Sequence, residues 1–227
     1  MTHLDVRRKR TLARPGEKYP GNGCVTPMDT ANPILGPRFE DALMYAVKLH
    51  ASQIRKGSGV PYVSHLMAVA GIVLEYGADE DETIAALLHD AIEDQGGSEA
   101  REEIRRRFGD RVAEIVDGCT DADTKPKPPW KERKEAYIAH IKDGSRSVHL
   151  VSAADKLSNA RAILKDYRSL GDELWERFKG GKEGTLWYYR SLSDVFLAVY
   201  PSPLAEELDR VVTEIERLVK PVQAGRT

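Results

Sequence analysis

The sequence predicts an all-α protein, and three observations support this prediction. Apolar residues recur at helical spacing from Phe39 almost to the end of the chain, as Leu43, Ala46 and Val47 illustrate. Runs that alternate apolar and polar residues, which are typical of strands, are nearly absent. Glycine and proline clusters interrupt the helical spacing at intervals that suit turns. We therefore expect a compact bundle of about eight to ten helices.

The breaks in the apolar spacing delimit each expected helix. In chain order, the breakers are Gly57 to Pro61, Gly77, Gly96-Gly97, Gly109, Pro126 to Pro129, Gly144, Gly171, Gly180-Gly181 and Pro201. The helices between them are expected at about 38–52, 64–76, 80–94, 99–107, 110–119, 130–143, 148–169, 172–178, 184–199 and 203–219.

The first 37 residues differ from the rest of the chain. They contain Pro15-Gly16, Pro20-Gly21-Asn22-Gly23 and Gly36-Pro37, with little periodic apolar pattern between them. We expect residues 1–37 to form a disordered or loosely packed tail and residues 38–227 to form one domain. A chain of 227 residues is long enough to bury a core without disulfide or metal staples.

Charge and cysteine usage exclude several classes of protein. The 34 basic side chains do not outnumber the 36 acidic ones, so extended, sequence-independent nucleic-acid binding is not expected. No apolar run approaches the roughly 18 residues of a membrane span, and the basic run at residues 7–10 is not followed by the apolar stretch of a secretory signal. Cys24 and Cys119 lie far apart and in no metal-ligand spacing, which favours free thiols in a reducing, cytoplasmic compartment.

The segment from Thr83 to Asp94 concentrates ionisable groups. On a continuous helix, His89, Asp90, Glu93 and Asp94 fall within one arc of roughly 140°, opposite an apolar face. A plain acidic surface is the alternative interpretation, but such a surface more often mixes in lysine or arginine. Three carboxylates beside an imidazole favour a bound cation, and adjacent His and Asp suit Mn²⁺, Fe²⁺ or Zn²⁺ better than Ca²⁺.

Asp155 is the second unusual carboxylate. It lies in the strongly apolar segment from Val148 to Leu164, where an unpaired charge would be destabilising, so it requires a partner. Lys156 is the simplest partner, although an immediate neighbour on a helix points about 100° away. His65 follows a loop at the expected start of a helix, where a lone histidine is more often a cap or a surface residue.

Taken together, His65, His89-Asp90 and Asp155 resemble the H, HD, D order of the HD superfamily of metal-dependent phosphohydrolases. The resemblance is strongest to the hydrolase domain of bifunctional (p)ppGpp synthetase/hydrolases and to small single-domain alarmone hydrolases. It extends from about Phe39 to Phe196 and is carried by three segments, Gln53-Ile-Arg-Lys-Gly-Ser-Gly-Val-Pro-Tyr-Val-Ser-His65, His89-Asp-Ala-Ile-Glu-Asp94 and Ala154-Asp-Lys-Leu-Ser-Asn-Ala-Arg161.

The resemblance implies an HD-domain helical bundle with a single divalent ion, for which Mn²⁺ is favoured and Fe²⁺ or Zn²⁺ are alternatives. Its implied metal ligands are His65, His89, Asp90 and Asp155. Its implied catalytic residues, Glu93 and Asp94, would position and deprotonate the attacking water and assist proton transfer to the leaving group.

The same resemblance implies four substrate-binding residues. Arg55 and Lys56 would stack on the nucleobase and hold phosphates, Asn159 would contact the sugar or a phosphate, and Tyr189 would offer an aromatic ring. The alternatives are solvated loop charges at 55 and 56 and a core aromatic at 189.

Three positions depart from the family pattern and leave the identity of the substrate open. Gln95 stands where the family usually has Thr after Glu-Asp, Ser158 stands where it has His or Tyr before Asn159, and Ala162 replaces a hydroxyl residue common after Arg161.

The implied activity is removal of the 3′-pyrophosphate from (p)ppGpp or (p)ppApp, with a small-molecule nucleotide as the partner and no membrane. Two alternatives keep the chemistry and change the substrate: the 2′-phosphate of NADPH, or 3′-pyrophosphorylated tRNA as antitoxin to an alarmone-synthetase-like toxin. The near-neutral charge disfavours an extended tRNA footprint but leaves the tRNA 3′ end open. A catalytically silent nucleotide-binding HD module is a third alternative, against which the retained Glu93 and Asp94 argue. The sequence leaves the oligomeric state open.

Overall fold

The computed structural model describes residues 35–121 and 126–220, and these residues are overwhelmingly α-helical. The α-helices are α1 Pro37–Leu49, α2 Val63–Glu75, α3 Glu80–Leu88, α4 Gly97–Phe108, α5 Asp110–Cys119, α6 Trp130–Lys142, α7 Arg146–Leu170, α8 Gly181–Val199 and α9 Pro203–Val219. A short π-helix at Ile92–Gly96 and a 3₁₀-helix at Gly171–Arg177 complete the list. Within the described ranges no strand is present, only an isolated bridge between Ile54 and Pro61. The predicted all-α fold is confirmed.

Part of the predicted tail, residues 1–34, lies outside the described residues together with Cys24. The boundary between tail and domain and the state of that thiol therefore stay predictions. Cys119 is described and is a free thiol. None of the described helices combines the length and hydropathy that crossing a membrane requires.

Helix α7 forms the centre of the bundle. It packs against α2, α3, α5, α8 and α9 and buries a long apolar face that includes Leu150, Val151 and Leu157. Each such side chain contributes about 1.5–3 kcal/mol when fully buried. Ala153 and Ala154 are fully buried beside them, and their small side chains allow neighbouring helices to approach α7 closely. Polar residues of α7 that face inward are thereby held in fixed positions.

A capping box fixes the start of α3. The Asp79 carboxylate accepts from the backbone N–H of Glu82 at 2.9 Å, and the Glu82 carboxylate accepts from the backbone N–H of Asp79 at 3.0 Å. Glu82 is only 3% exposed and also accepts a 2.7 Å hydrogen bond from the Ser147 hydroxyl near the start of α7. The beginnings of α3 and α7 are thus joined.

The prediction of one continuous helix over 80–94 is wrong. Helix α3 ends at Leu88, immediately before His89-Asp90, and a π-helix follows at Ile92–Gly96. The π-helix is followed directly by Gly97, whose positive φ of 53° suits glycine. A π-turn is wider than an α-turn and often occurs at functional sites. The directions predicted for the Glu93 and Asp94 side chains assumed a regular α-helix and therefore do not apply.

Candidate metal centre

Two histidines and two aspartates converge where α2, α7 and the end of α3 meet. The His65 Nε2 atom lies 3.1 Å from Asp155 Oδ1 and 3.8 Å from Asp90 Oδ2. The His89 Nε2 atom lies 3.0 Å from Asp90 Oδ2 and 3.7 Å from Asp155 Oδ1. In three of these residues, His65, His89 and Asp155, the potential ligand atoms all lie within 4.8 Å of one another. We call these four side chains the cage.

The chemistry of the cage fits a divalent cation. His65, His89 and Asp155 are 3%, 2% and 6% exposed, so water does not stabilise their polar atoms. Although the His89 Nε2 atom is close to Asp90, it is a buried nitrogen without a hydrogen-bond partner of suitable geometry in the described part of the chain. A mixed set of imidazole and carboxylate ligands suits Mn²⁺, Fe²⁺ or Zn²⁺.

The outer nitrogens of both histidines are held by the protein. The His89 Nδ1 atom lies 2.8 Å from the Ala86 carbonyl oxygen, and since a carbonyl only accepts, Nδ1 carries the proton and Nε2 presents a lone pair to the cage. The His65 Nδ1 atom lies 3.1 Å from the Ser158 hydroxyl. Ser158, which departs from the family pattern, thus orients a cage residue.

The cage stabilises positive charge. Burial lowers the pKa of His65, against the opposing effect of Asp155 and Asp90. Burial also acts on His89, but there the charges of Asp90 and Asp155 outweigh it and raise the pKa well above its ordinary value. A proton at His89 or a divalent ion can supply the charge that the two carboxylates demand.

Asp90 is also bonded from the loop that precedes α2. The Tyr62 hydroxyl donates a hydrogen bond to Asp90 Oδ2. Burial and the neighbouring Asp90 charge raise the pKa of Tyr62, so this hydroxyl stays protonated and remains a donor. The sequence pattern did not single out Tyr62, because a tyrosine next to a proline has no distinctive signal of its own.

Asp155 is shared between the cage and a largely buried lysine. The expectation that Lys156 points away from its neighbour is wrong: its Nζ atom lies 2.6 Å from Asp155 Oδ2. The four-carbon side chain folds back beside the Tyr137 ring, 4.8 Å from its centroid, so the direction of the Cα–Cβ bond does not decide where the charge lies. Despite burial, Lys156 and both cage histidines hold the pKa of Asp155 well below its ordinary value.

Glu93 and Asp94 both lie on the π-helix but face different partners. Glu93 is partly buried, and its Oε1 atom lies 2.7 Å from Lys127 Nζ and 3.7 Å from Arg133 Nη1. Asp94 is exposed and accepts a 2.7 Å hydrogen bond from the Gln53 side chain. No sequence pattern connects Lys127, Arg133 or Gln53 with these carboxylates.

Two of the four predicted substrate-binding residues are linked to the cage. The side-chain nitrogen of Asn159, Nδ2, donates to Asp155 Oδ1. The side-chain oxygen of Asn159, Oδ1, accepts a 3.0 Å hydrogen bond from Arg55. Arg55 therefore lies one side chain away from Asp155.

The other two predicted substrate-binding residues are less closely connected. Lys56 is exposed and forms no hydrogen bond or ion pair with the side chains described. Tyr189 is half-buried and packs edge-on against Tyr188, with ring centroids 5.7 Å apart. Burial raises the pKa of its hydroxyl. The charges of Lys156, Asp155 and Arg55 also act on this hydroxyl. Tyr189 thus lies near the cage while belonging partly to the core.

The helical fold and the His–Asp cage define the class of protein. A sequence model described as the HD domain matches residues 42–185, well over half of the chain. The chain belongs to the HD domain family, which confirms the resemblance.

Two relatives sharpen this assignment. A Xenopus tropicalis protein named guanosine-3′,5′-bis(diphosphate) 3′-pyrophosphohydrolase MESH1 is 38% identical over 128 residues, which are 55% of this chain and 69% of that protein. A Haemophilus influenzae protein named guanosine-3′,5′-bis(diphosphate) 3′-pyrophosphohydrolase is 36% identical over 126 residues, or 53% of this chain. This chain spans only 18% of the length of the Haemophilus protein.

A solved structure agrees with the sequence matches. The structure of a metazoan ortholog of SpoT, described as hydrolysing ppGpp, superimposes with a TM-score of 0.69 at 26% identity. The superposition covers 83% of this chain and 100% of the other.

Proposed function

We propose that this protein is a metal-dependent nucleotide phosphohydrolase that removes the 3′-pyrophosphate from (p)ppGpp or (p)ppApp. One observation carries the proposal: the buried cage continues through Asn159 to the guanidinium of Arg55. A cation site and a basic, planar side chain are therefore adjacent, which suits a phosphorylated nucleotide. The relatives named as 3′-pyrophosphohydrolases support the same bond. A nucleotide substrate and a free thiol at Cys119 favour a cytoplasmic location.

We assign the metal to the four cage residues, His65, His89, Asp90 and Asp155, with Mn²⁺ as the favoured ion. A bound divalent ion would supply Lewis-acid activation of water and of a phosphate oxygen. The protein contributes the orientation of the ligands: Ala86 and Ser158 hold the histidines, Tyr62 holds Asp90, and Lys156 holds Asp155.

In this proposal Glu93 and Asp94 act in proton transfer. Water attacks the phosphorus bonded to the ribose 3′ oxygen, the bond between that phosphorus and the 3′ oxygen breaks, and pyrophosphate leaves. Asp94, with an exposed carboxylate, takes the proton from the attacking water, and this same proton is then delivered to the 3′ oxygen with the assistance of Glu93. Lys127, bonded to Glu93, adds positive charge near the departing phosphates.

On the substrate side, Arg55 and Lys56 would hold the base and phosphates, and Asn159 would contact the sugar or a phosphate. Tyr189 would present its ring to the nucleotide. Lys56 is free to move toward a ligand because no ion pair with a described side chain restrains it.

The test is a hydrolysis panel with Mn²⁺ and product identification. The panel contains ppGpp, ppApp, NADPH and 3′-pyrophosphorylated tRNA, with Asp90→Ala as the matched inactive variant. Release of pyrophosphate from an alarmone, lost in Asp90→Ala, supports the proposal. Turnover of NADPH or tRNA alone would reassign the substrate, and tight nucleotide binding without any product would identify a silent binding module.

A further inference from the structure

His50 is a buried histidine outside the cage. It lies at the end of α1, is 2% exposed, and its ring stacks on Tyr62 with centroids 5.4 Å apart and planes 20° from parallel. Its Nδ1 atom lies 2.6 Å from Gln53 Oε1. Its environment therefore fixes both the plane of the ring and one of its nitrogens.

Only one arrangement of donors and acceptors satisfies Gln53. Its amide nitrogen lies 2.7 Å from Asp94 Oδ2, and an ionised carboxylate only accepts, so this end must be the amide NH₂. The Gln53 oxygen then accepts from the Gln95 amide and from His50 Nδ1. It follows that His50 carries its proton on Nδ1.

The main chain holds Gln53 as firmly as its side chain does. Its backbone N–H donates to the His50 carbonyl at 3.0 Å, and its carbonyl accepts from the Tyr62 N–H at 2.9 Å. Asp94, by contrast, is exposed on the π-helix, where a carboxylate would otherwise sample several rotamers. The rigidly held Gln53 amide therefore donates to the Asp94 carboxylate, which would otherwise be mobile.

We propose that Gln53 is a positioning residue that holds the Asp94 carboxylate in one orientation, and that His50 and Gln95 fix the Gln53 amide for this purpose. The role of Gln53 rests on the proposed function, in which Asp94 takes the proton from the attacking water. Gln95 departs from the family pattern, and its role in this proposal is to hold the Gln53 amide oxygen.

The first test compares Gln53→Leu with the unaltered full-length protein, with Mn²⁺ and the alarmone that it hydrolyses. The substitution keeps the approximate size of the side chain and removes both ends of the amide. We expect kcat to fall by about tenfold, the size expected for one charge-assisted hydrogen bond, with KM and Mn²⁺ affinity unchanged. Ile54→Val is the matched control, because Ile54 is the next residue in the same loop and is 58% exposed.

A double-mutant cycle separates positioning from general disruption. If Gln53 acts through Asp94, then Gln53→Leu added to Asp94→Ala causes no further loss of kcat. Losses that multiply would overturn the positioning role while leaving the hydrolase assignment intact. No turnover by the unaltered protein on any substrate of the panel would overturn both.

The second test reads the geometry without catalysis. In the metal-free protein, ¹⁵N NMR of the histidine side chains should show His50 as the Nδ1–H tautomer, and Gln53→Leu should abolish this preference. An Nε2–H tautomer in the unaltered protein contradicts the proposed orientation of the amide, whatever the activity.

Discussion

The cage and the neighbouring carboxylates of Glu93 and Asp94 are built differently. His65, His89 and Asp155 are at most 6% exposed and are positioned by the packing of α2, α3 and α7. Glu93 and Asp94 lie on a π-helix near the surface, and polar side chains from other segments position them. The positions of the cage side chains are fixed by close packing of the apolar core. The positions of Glu93 and Asp94 depend instead on hydrogen bonds that compete with water. Substitutions in the cage should therefore have much larger effects than substitutions around it.

The largest expected effect is that of Asp155→Asn. The substitution keeps the shape but removes a charge that faces both histidines and Lys156, so we expect Mn²⁺ binding to be lost and the rate to fall by roughly 1000-fold or more. Metal content and turnover measure this. Asp166→Asn is the control, because Asp166 lies on the same helix in a partly exposed pair with Arg177. Full activity of Asp155→Asn would remove the cage from the mechanism.

Arg55→Ala should have the next largest effect. It removes the guanidinium that Asn159 holds, so we expect kcat/KM to fall by roughly 10–100-fold, chiefly through KM, with Mn²⁺ affinity unchanged. Arg161→Ala is the control, because Arg161 lies on the helix of Asn159 but pairs with Glu207 at the surface. Equal effects of the two substitutions would show that Arg55 has no specific contact with the substrate.

Ser158→Ala tests the outer support of the cage. Loss of the hydroxyl beside His65 Nδ1 should weaken Mn²⁺ binding by about tenfold, while kcat at saturating metal changes little. Calorimetric titration of the metal measures this, with Ser64→Ala, next to His65 in sequence, as the control. A fall in kcat that excess metal does not restore would give Ser158 a role in catalysis instead.

Lys127→Met should have the smallest effect. The pair with Glu93 is partly exposed, so its removal should change kcat by about two- to fivefold, and high salt should reduce the difference from the unaltered protein. Steady-state rates at low and high ionic strength measure this. A salt-independent loss of 100-fold would show that Lys127 contacts the reacting groups directly.

The sequence predicted the helices well where burial is regular. The expected 110–119 and 203–219 coincide with α5 and α9, because their apolar spacing records one buried face each. The helix expected at 80–94 failed because a π-turn depends on tertiary contacts that leave no periodic pattern. The expected helix 172–178 is a 3₁₀-helix at Gly171–Arg177, a distinction that spacing over two turns does not make.

In the candidate site, too, some residues were predicted from the sequence and others were not. The four cage residues were brought together by their resemblance to a known motif, and their atoms converge in space. Tyr62 and Gln53 were missed, and Ser158 was noted only as a departure from the family pattern, because each acts through a side chain 28 to 93 positions away. Tyrosine, glutamine and serine are common residue types, so without a partner nearby in sequence nothing indicates which contacts they make.

The bond between Glu82 and Ser147 has a consequence for metal exchange. It joins the starts of α3 and α7, and His89 and Asp155 follow seven and eight residues later, roughly 10–12 Å along each helix. The two proposed ligand positions are therefore preorganised by the polypeptide, in contrast to zinc fingers, which acquire their fold on binding. Chelation should leave the circular dichroism spectrum unchanged, and reloading should proceed without refolding.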